Sequence, residues 1–269
     1  MSVTRYSPHI RQAFRVPAQN PAMLVRIAAP WLVLALVALF IKDAPFGGAA
    51  LLSMALMAVA FGGFGFFWQR FVGGEQAVIL SPVGKAIRLL LWIMAYQALQ
   101  GLELFSALLL GILFEGQTNV DVLVKAGQQL FQILIGCFFL MLPHFALGTK
   151  EEVRGTRLQE MVLAGGIAVG LGYVLSYLPF LFLAEIARSG FASLEQTATV
   201  EQASGMVSFV IHFLSVMIAT GYFALTWIDL RASAPRLGQQ AAEAEAVDEA
   251  EPAKEKRTTR LNRANKARR

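Results

Sequence analysis

The sequence has little charge and almost no cysteine. Only 15% of its 269 residues are charged and 56% are apolar, whereas an average soluble domain is about 25% charged. The single cysteine, Cys137, excludes a disulfide framework within the chain and a cysteine-based zinc site. This balance excludes an ordinary soluble globule and a disordered regulator, and it indicates an integral membrane protein built from helices.

Residues with familiar catalytic chemistry are also scarce. The three histidines, His9, His144 and His212, are scattered and lack a metal-binding spacing. The sequence holds no phosphate-binding loop, dinucleotide fingerprint, nucleophile elbow or calcium-binding loop. We therefore expect a protein that is not an enzyme and that uses no cofactor or metal.

Six apolar segments are long enough to cross a membrane, for which about 20 residues are needed. They cover roughly residues 23–42, 50–72, 87–114, 127–148, 160–187 and 205–229. The connections between them are too short to hold a folded soluble domain. The sequence therefore predicts an all-α integral membrane bundle of six transmembrane helices over 23–230, with a leader at 1–22 and a tail at 231–269.

The leader and the tail are both polar. Residues 7–16 place apolar side chains on one side and Arg11 and Arg15 on another, which predicts a short interfacial helix. The tail is rich in Ala, Glu and Gln and then basic, with eight basic residues and one acid from Lys254 to Arg269. Such a tail is expected to be disordered and to bind anionic lipid, and we expect no nucleic-acid partner.

The placement of lysine and arginine predicts the orientation. Of the fourteen basic residues up to and including Arg231, eleven lie on one side of the predicted spans, and three, Lys42, Lys125 and Arg188, lie on the other. Because cytoplasmic loops carry the excess of basic residues, both termini are predicted to be cytoplasmic.

Polar residues within the predicted spans are candidates for function, because each is costly to place in hydrocarbon. At a rise of about 1.5 Å per residue, Glu103 lies about 4 Å to the outer side of its span's midpoint, and Gln132 and His212 lie about 8 Å to that side. The three side chains are therefore expected to meet in the outer half of the bundle. A buried acid beside an imidazole can exchange protons, as a proton-coupled carrier requires. Alternatively, these residues only join helices by hydrogen bonds.

Small residues and prolines indicate how the spans pack. Gly166 and Gly170, four residues apart in the fifth segment, predict a close helix–helix contact. Pro143 in the fourth segment and Pro179 in the fifth are expected to kink their helices.

The run Trp68 to Glu75 reads Trp-Gln-Arg-Phe-Val-Gly-Gly-Glu. It resembles a motif of uncharacterised multi-span inner-membrane proteins of alphaproteobacteria, usually Trp-His-Arg-Phe, a few apolar residues, then Gly-Glu. Here Gln69 stands in place of the histidine, and the spacer is one residue shorter. The resemblance implies a six-helix protein of the bacterial inner membrane without an assigned activity. Trp68, Arg70 and Glu75 are then candidate residues for docking a cytoplasmic partner.

Two functions remain open on this sequence. The first, which we expect, is a non-enzymatic membrane protein that scaffolds, assembles or regulates partners, either other membrane proteins or further copies of itself. The second is a small permease or proton-coupled carrier that uses Glu103, Gln132 and His212. The absence of a catalytic set favours the first, and the polar residues within the spans favour the second.

Overall fold

The chain is all-α in a computed structural model. The structure describes residues 6–42, 44, 47–74, 77, 79–115, 119–149, 152–153, 157–195 and 197–266, and the side chains of all of these except 157, 198 and 234–266. The helices are α1 (Ser7–Gln19), α2 (Pro21–Ile41), α3 (Ala49–Gly73), α4 (Pro82–Leu113), α5 (Val120–Ile135), α6 (Met141–Leu147), α7 (Arg157–Ala192) and α8 (Ala198–Lys266), with a 3₁₀ helix at Gly136–Leu140. The described residues contain no strand.

Six helical stretches are long and apolar enough to cross a membrane, which confirms the predicted bundle. Spans 1 to 6 are Pro21–Ile41, Ala49–Gly73, Pro82–Leu113, Val120–Leu147, Leu158–Ala192 and Thr199–Ser233. Two helices begin before their apolar runs, and a hydroxyl side chain caps each of them. For example, the Ser81 hydroxyl accepts a hydrogen bond from the Gly84 backbone amide at 3.1 Å and starts span 3 before its apolar run begins.

Aromatic side chains fill the centre of the bundle. Trp68, Trp92 and Trp227 are fully buried. Phe64 of span 2 packs on Phe213 of span 6, with ring centroids 4.3 Å apart. Large buried rings of this kind supply much of the packing contact between helices.

At 3.6 residues per turn, the sequence of span 3 predicts a polar side and an apolar side, and the structure has both. Tyr96 and Ser106 are buried, and Gln100 and Glu103 are half-buried on the same side. The side chains on the opposite side are exposed on the outside of the bundle: Leu102, Phe105, Leu109 and Ile112. A large exposed apolar surface is rare on a soluble protein and suits contact with lipid.

Helix α1 packs against the bundle, although the sequence assigned it to a separate leader. Its Ala13 and Pro17 are buried. Phe14 stacks on Phe180 of span 5 with ring centroids 6.0 Å apart, while Arg11 on the polar side is exposed. The predicted helix forms and the protein covers part of its apolar side, while its location at a membrane interface stays a prediction.

The two glycines of span 5 have different roles. A Cβ on Gly170 would collide with the backbone of Ile133 in span 4, and a Cβ on Gly136 would collide with the backbone of Gly170. Gly166 instead has open space within 4 Å of a Cβ and adopts φ 48° and ψ −148°, which interrupts α7. Gly170 therefore lies at a close contact between spans 4 and 5, whereas Gly166 makes no such contact and breaks the helix in a conformation that favours glycine.

Span 4 is irregular as well. The chain passes from α5 to α6 through the 3₁₀ helix Gly136–Leu140, and Pro143 is the third residue of α6. Proline lacks an amide donor and clashes with the carbonyl four residues earlier, here that of Phe139. The disturbance predicted at Pro143 therefore takes the form of a tightened turn. In span 5 the non-helical backbone lies at Gly166, not at Pro179.

The end of the chain forms a second unit, Asp229–Arg269. Its backbone is helical through Lys266, in keeping with the high helix propensity of Ala and Glu. The side chains after residue 233 lie outside those that the structure describes. The predicted disorder of the tail and its binding to anionic lipid therefore stay predictions.

Candidate functional site

A polar cavity lies inside the bundle, lined by spans 3 to 6. Its volume is about 50 Å³, and since one water needs roughly 10–15 Å³ on this measure, it has room for about three to five waters. Its ionisable and amide-bearing side chains are Tyr96, Gln100, Glu103, Gln132, Tyr173, Tyr177 and His212. Among the described lining residues, Glu103 is the one carboxylic acid, and none is a lysine or arginine.

The Glu103 carboxyl is held by weak contacts from spans 3 and 5. The Tyr173 hydroxyl donates to one carboxyl oxygen at 3.5 Å, and the Gln100 amide donates to the other at 3.5 Å. The side chain of Gln132 in span 4 lines the cavity close to the same carboxyl. A distance of 3.5 Å is long for a hydrogen bond. The carboxyl therefore keeps the capacity to accept a stronger bond from a molecule in the cavity.

Gln132 presents an unused acceptor. Its side-chain oxygen is buried and has no hydrogen-bond partner in the structure. Leaving a buried acceptor unpaired costs roughly 1–3 kcal/mol. This cost favours a donor in the cavity, either a water or a polar solute.

His212 lies at the wall of the same cavity. Its ring meets Phe61 edge-on, with centroids 4.8 Å apart, and no hydrogen bond joins it to Glu103 within the part of the chain that the structure describes. The structure thus brings Glu103, Gln132 and His212 to one cavity, as predicted. It does not show the direct Glu103–His212 contact that the simplest proton exchange would use.

Two of the spans that line this cavity have irregular backbone, and that of span 4 reaches the cavity itself. The 3₁₀ helix of span 4 contributes Phe139 to the lining, and its first residue, Gly136, touches Gly170 of span 5. The break at Gly166 lies one turn before Gly170. Non-helical backbone at membrane depth is tolerated where it is buried or lines a cavity, and interrupted helices are typical of binding sites in transporters.

A buried glutamine next to the cavity was not predicted from the sequence. Gln69 is fully buried in span 2. Its side-chain oxygen accepts a hydrogen bond from the Trp92 indole at 2.7 Å, and its amide donates to the Thr220 carbonyl at 3.3 Å. Gln69 therefore links spans 2, 3 and 6. Only its position inside an apolar run, which requires a partner, could have indicated this role.

We predict that Gln69→Leu lowers the free energy of unfolding by about 1–3 kcal/mol, because it leaves the Trp92 indole N–H buried without an acceptor. Thermal unfolding in detergent measures this loss. Gln97→Leu in span 3 is the matched control. Gln97 is exposed on the outside of the bundle, so its substitution should change the free energy of unfolding little. Equal stability of both variants would show that the Gln69 hydrogen bonds are not needed.

Two of the candidate docking residues, Trp68 and Arg70, make their contacts inside the protein. Trp68 is fully buried, which leaves it no exposed surface for a partner. The Arg70 guanidinium donates to the Ala146 carbonyl at 2.6 Å, and Arg88 similarly binds the carbonyl of Gly148. These contacts place cations at the C-terminal end of span 4, where the helix dipole favours them. Glu75 lies outside the described residues.

The chemistry of the cavity is therefore that of an acid among neutral polar and aromatic groups. Among the described residues, no group of three His, Cys, Asp or Glu side chains is placed to hold a metal ion. Glu103 can bind and release a proton, and the amides and hydroxyls around it can donate and accept hydrogen bonds.

No protein-family model, no curated protein and no solved structure matches this chain. The resemblance to alphaproteobacterial inner-membrane proteins therefore depends on the run Trp68 to Glu75 alone.

Proposed function

We propose that this protein is a proton-coupled carrier of a small solute and that Glu103 carries the proton. The observation that supports this most is the position of Glu103. It is the one carboxylic acid among the described residues of a partly open cavity between the spans, with long hydrogen bonds and an unpaired amide oxygen on neighbouring Gln132. An ionisable group inside a membrane is costly and usually marks a path for ions or substrates.

The size of the polar cavity supports carriage of a small molecule. A volume of about 50 Å³ accommodates a few waters or a solute with roughly as many non-hydrogen atoms. The cavity lies between spans 3 to 6, and residues from all four spans face it. A solute bound there would therefore contact every helix whose movement could open the site.

The irregular backbone supports a change between inward-open and outward-open states. Alternating access needs segments that rotate or rock around a fixed site. Gly166, at φ 48°, divides span 5 into two helical parts, and the 3₁₀ helix divides span 4. Because glycine adopts many backbone conformations at little steric cost, Gly166 is a suitable hinge.

The scaffold function and the expected absence of enzymatic activity stay predictions. The buried position of Trp68 weakens the docking role on which the scaffold function partly depended. Glu103, Gln132 and His212 have the alternative role of joining helices, and the experiments below separate that role from transport.

Transport in proteoliposomes tests the proposal. Vesicles that contain a pH-sensitive dye and carry a pH gradient receive pools of small cationic, neutral and anionic solutes in turn. We expect one pool to change the internal pH of vesicles that contain the wild-type protein and to leave it unchanged in vesicles that contain Glu103→Gln. If a folded wild-type protein moves protons with none of the pools, the carrier function is wrong.

We also propose that the protein lies in the bacterial inner membrane with both termini in the cytoplasm, on the strength of the basic-residue bias. In a Cys137→Ala background, a cysteine at exposed Glu115 should react with an impermeant thiol reagent in intact spheroplasts. A cysteine at Ile79, which is 97% exposed in the loop after span 2, should react only after lysis. The reverse pattern would invert the topology.

A further inference from the structure

We infer that the solute is a small organic ammonium cation, which exchanges one-for-one with the proton on Glu103. This inference rests on the proposed function and adds the substrate class and the coupling ratio to it. It depends on two features of the polar cavity: the balance of charge among its described lining residues and the aromatic character of its wall.

The charge of the cavity favours a monovalent cation. Glu103 is the one carboxylic acid among the described lining residues, and no lysine or arginine there can neutralise it. With Glu103 protonated and His212 neutral, the empty cavity has no net charge. With Glu103 ionised and a monovalent cation bound, the cavity again has no net charge. Since an unpaired charge inside the membrane is costly, these two states are the favoured ones.

The exchange step balances in atoms and charge. The cation enters as the O–H bond of the Glu103 carboxylic acid breaks, the carboxylate remains as the counter-ion, and the proton leaves to water. On the other side of the membrane the cation leaves, and a proton from water forms the O–H bond again. Each cycle moves one proton one way and one cation the other, so no net charge crosses the membrane.

The wall of the cavity favours an organic cation over a metal ion. Tyr173 lies at the centre of an aromatic group, with ring centroids 5.0 Å from Phe139, 5.1 Å from Phe223 and 6.2 Å from Tyr177. Aromatic faces attract alkylammonium groups, whereas hard metal ions take oxygen ligands on all sides. The unpaired Gln132 oxygen adds an acceptor for an N–H or a polarised C–H donor.

The other titratable groups around Glu103 are few. Tyr96 faces it from its own span, Tyr173 and Tyr177 from span 5, and His212 from span 6, while span 4 contributes the neutral Gln132. The tyrosines are neutral in the range where carboxylic acids and imidazoles titrate. A protonated His212 would repel a cation, and a protonated Glu103 would no longer attract one. Both effects weaken binding at low pH, so His212→Gln is needed to separate them.

Titration calorimetry on the purified protein tests the substrate class. The probe is tetramethylammonium, which has a permanent charge, and the neutral control is tert-butanol, which has the same number of non-hydrogen atoms. We expect the wild type to bind tetramethylammonium and not tert-butanol or acetate. In the pH range where Glu103 is mostly protonated, each unit by which the pH falls should weaken binding about tenfold, because one proton competes with one cation.

Variants assign the binding to this cavity. Glu103→Gln should abolish binding, and His212→Gln should keep the pH dependence. Tyr177→Leu should weaken binding roughly 2- to 30-fold, the range for the loss of one cation–π contact. Phe182→Leu, on the same helix but 63% exposed on the outside of the bundle, is the matched control and should bind like the wild type.

Uptake of labelled tetramethylammonium into proteoliposomes tests the coupling. A pH gradient alone should drive uptake, and a membrane potential imposed with potassium and valinomycin should leave it unchanged. Uptake that follows the membrane potential, binding that Glu103→Gln retains, or preference for sodium over tetramethylammonium would overturn the inference.

The proton-flux assay distinguishes this inference from the carrier function. If a neutral or anionic pool drives the proton flux instead, the carrier function stands and the ammonium inference fails. If no pool drives it, both fail.

Discussion

Glu103→Gln should fold with the stability of the wild-type protein and lose all solute-driven proton flux. Glutamine has the shape of the neutral carboxylic acid and can form hydrogen bonds with Tyr173, the partner of Glu103 on span 5, and with the nearby Gln132 on span 4. It cannot bind or release a proton in the accessible pH range. The proteoliposome assay measures the flux, and thermal unfolding in detergent measures the stability.

Glu103→Leu separates transport from helix joining. Leucine removes the hydrogen bond to Tyr173 on span 5, so we expect a loss of about 1 kcal/mol for this interhelical bond. Gln97→Leu, on the exposed side of the same helix, controls for the change in polarity. If Glu103→Gln retains full proton flux, Glu103 is not the proton carrier. If Glu103→Leu is as stable as the wild type, its hydrogen bonds do not hold the helices together.

Gly170→Ala should destabilise the bundle by about 1–3 kcal/mol, the usual range for overpacking. The added Cβ would meet the backbone of Ile133, which cannot rotate away as a side chain can. Gly190→Ala is the matched control on the same helix, because a Cβ there has open space within 4 Å. Gly190→Ala should be as stable as the wild type or slightly more stable, since alanine has a higher helix propensity than glycine. Thermal unfolding of the two variants in detergent gives the comparison.

Equal unfolding temperatures for Gly170→Ala and Gly190→Ala would contradict the close contact between spans 4 and 5. That contact also positions Gln132 and Tyr173, which lie on the two spans that meet at Gly170. We therefore expect Gly170→Ala to reduce transport along with stability.

The six spans and the shared depth of Glu103, Gln132 and His212 could be predicted from the sequence. The length of an apolar run and a fixed rise per residue determine both, and neither depends on which helices are neighbours. The lipid-facing side of span 3 followed from its 3.6-residue period for the same reason. These are local properties of single helices.

The features that the sequence did not reveal depend on contacts between helices. Gly166 and Gly170 are both glycines and lie one helical turn apart in the sequence. Only the position of Ile133 on span 4 shows which of them packs against a neighbouring helix and which interrupts its own helix. Gln69 stood in a motif that indicated docking, and its partners on spans 3 and 6 are distant in sequence. Trp68 at the end of a span resembles an interfacial anchor, but the bundle covers it completely.

The position of α1 is a further case. Its amphipathic pattern predicts a helix with one apolar side, and lipid or protein can cover that side equally well. The contact of Phe14 with Phe180 of span 5 shows that protein covers part of it. The pattern of apolar and basic residues in α1 alone cannot distinguish the two environments.

Infrared difference spectroscopy of the wild type and Glu103→Gln, recorded across a pH titration in lipid, tests the central claim most directly. A protonated carboxylic acid has a carbonyl absorption that its carboxylate lacks. We predict a protonated-carboxyl band in the wild type that disappears as the pH rises, is absent from Glu103→Gln, and responds to solute in the same samples that show proton flux. Identical titrations of the two proteins would contradict the claim, because Glu103 would then not exchange a proton with water from inside the bundle.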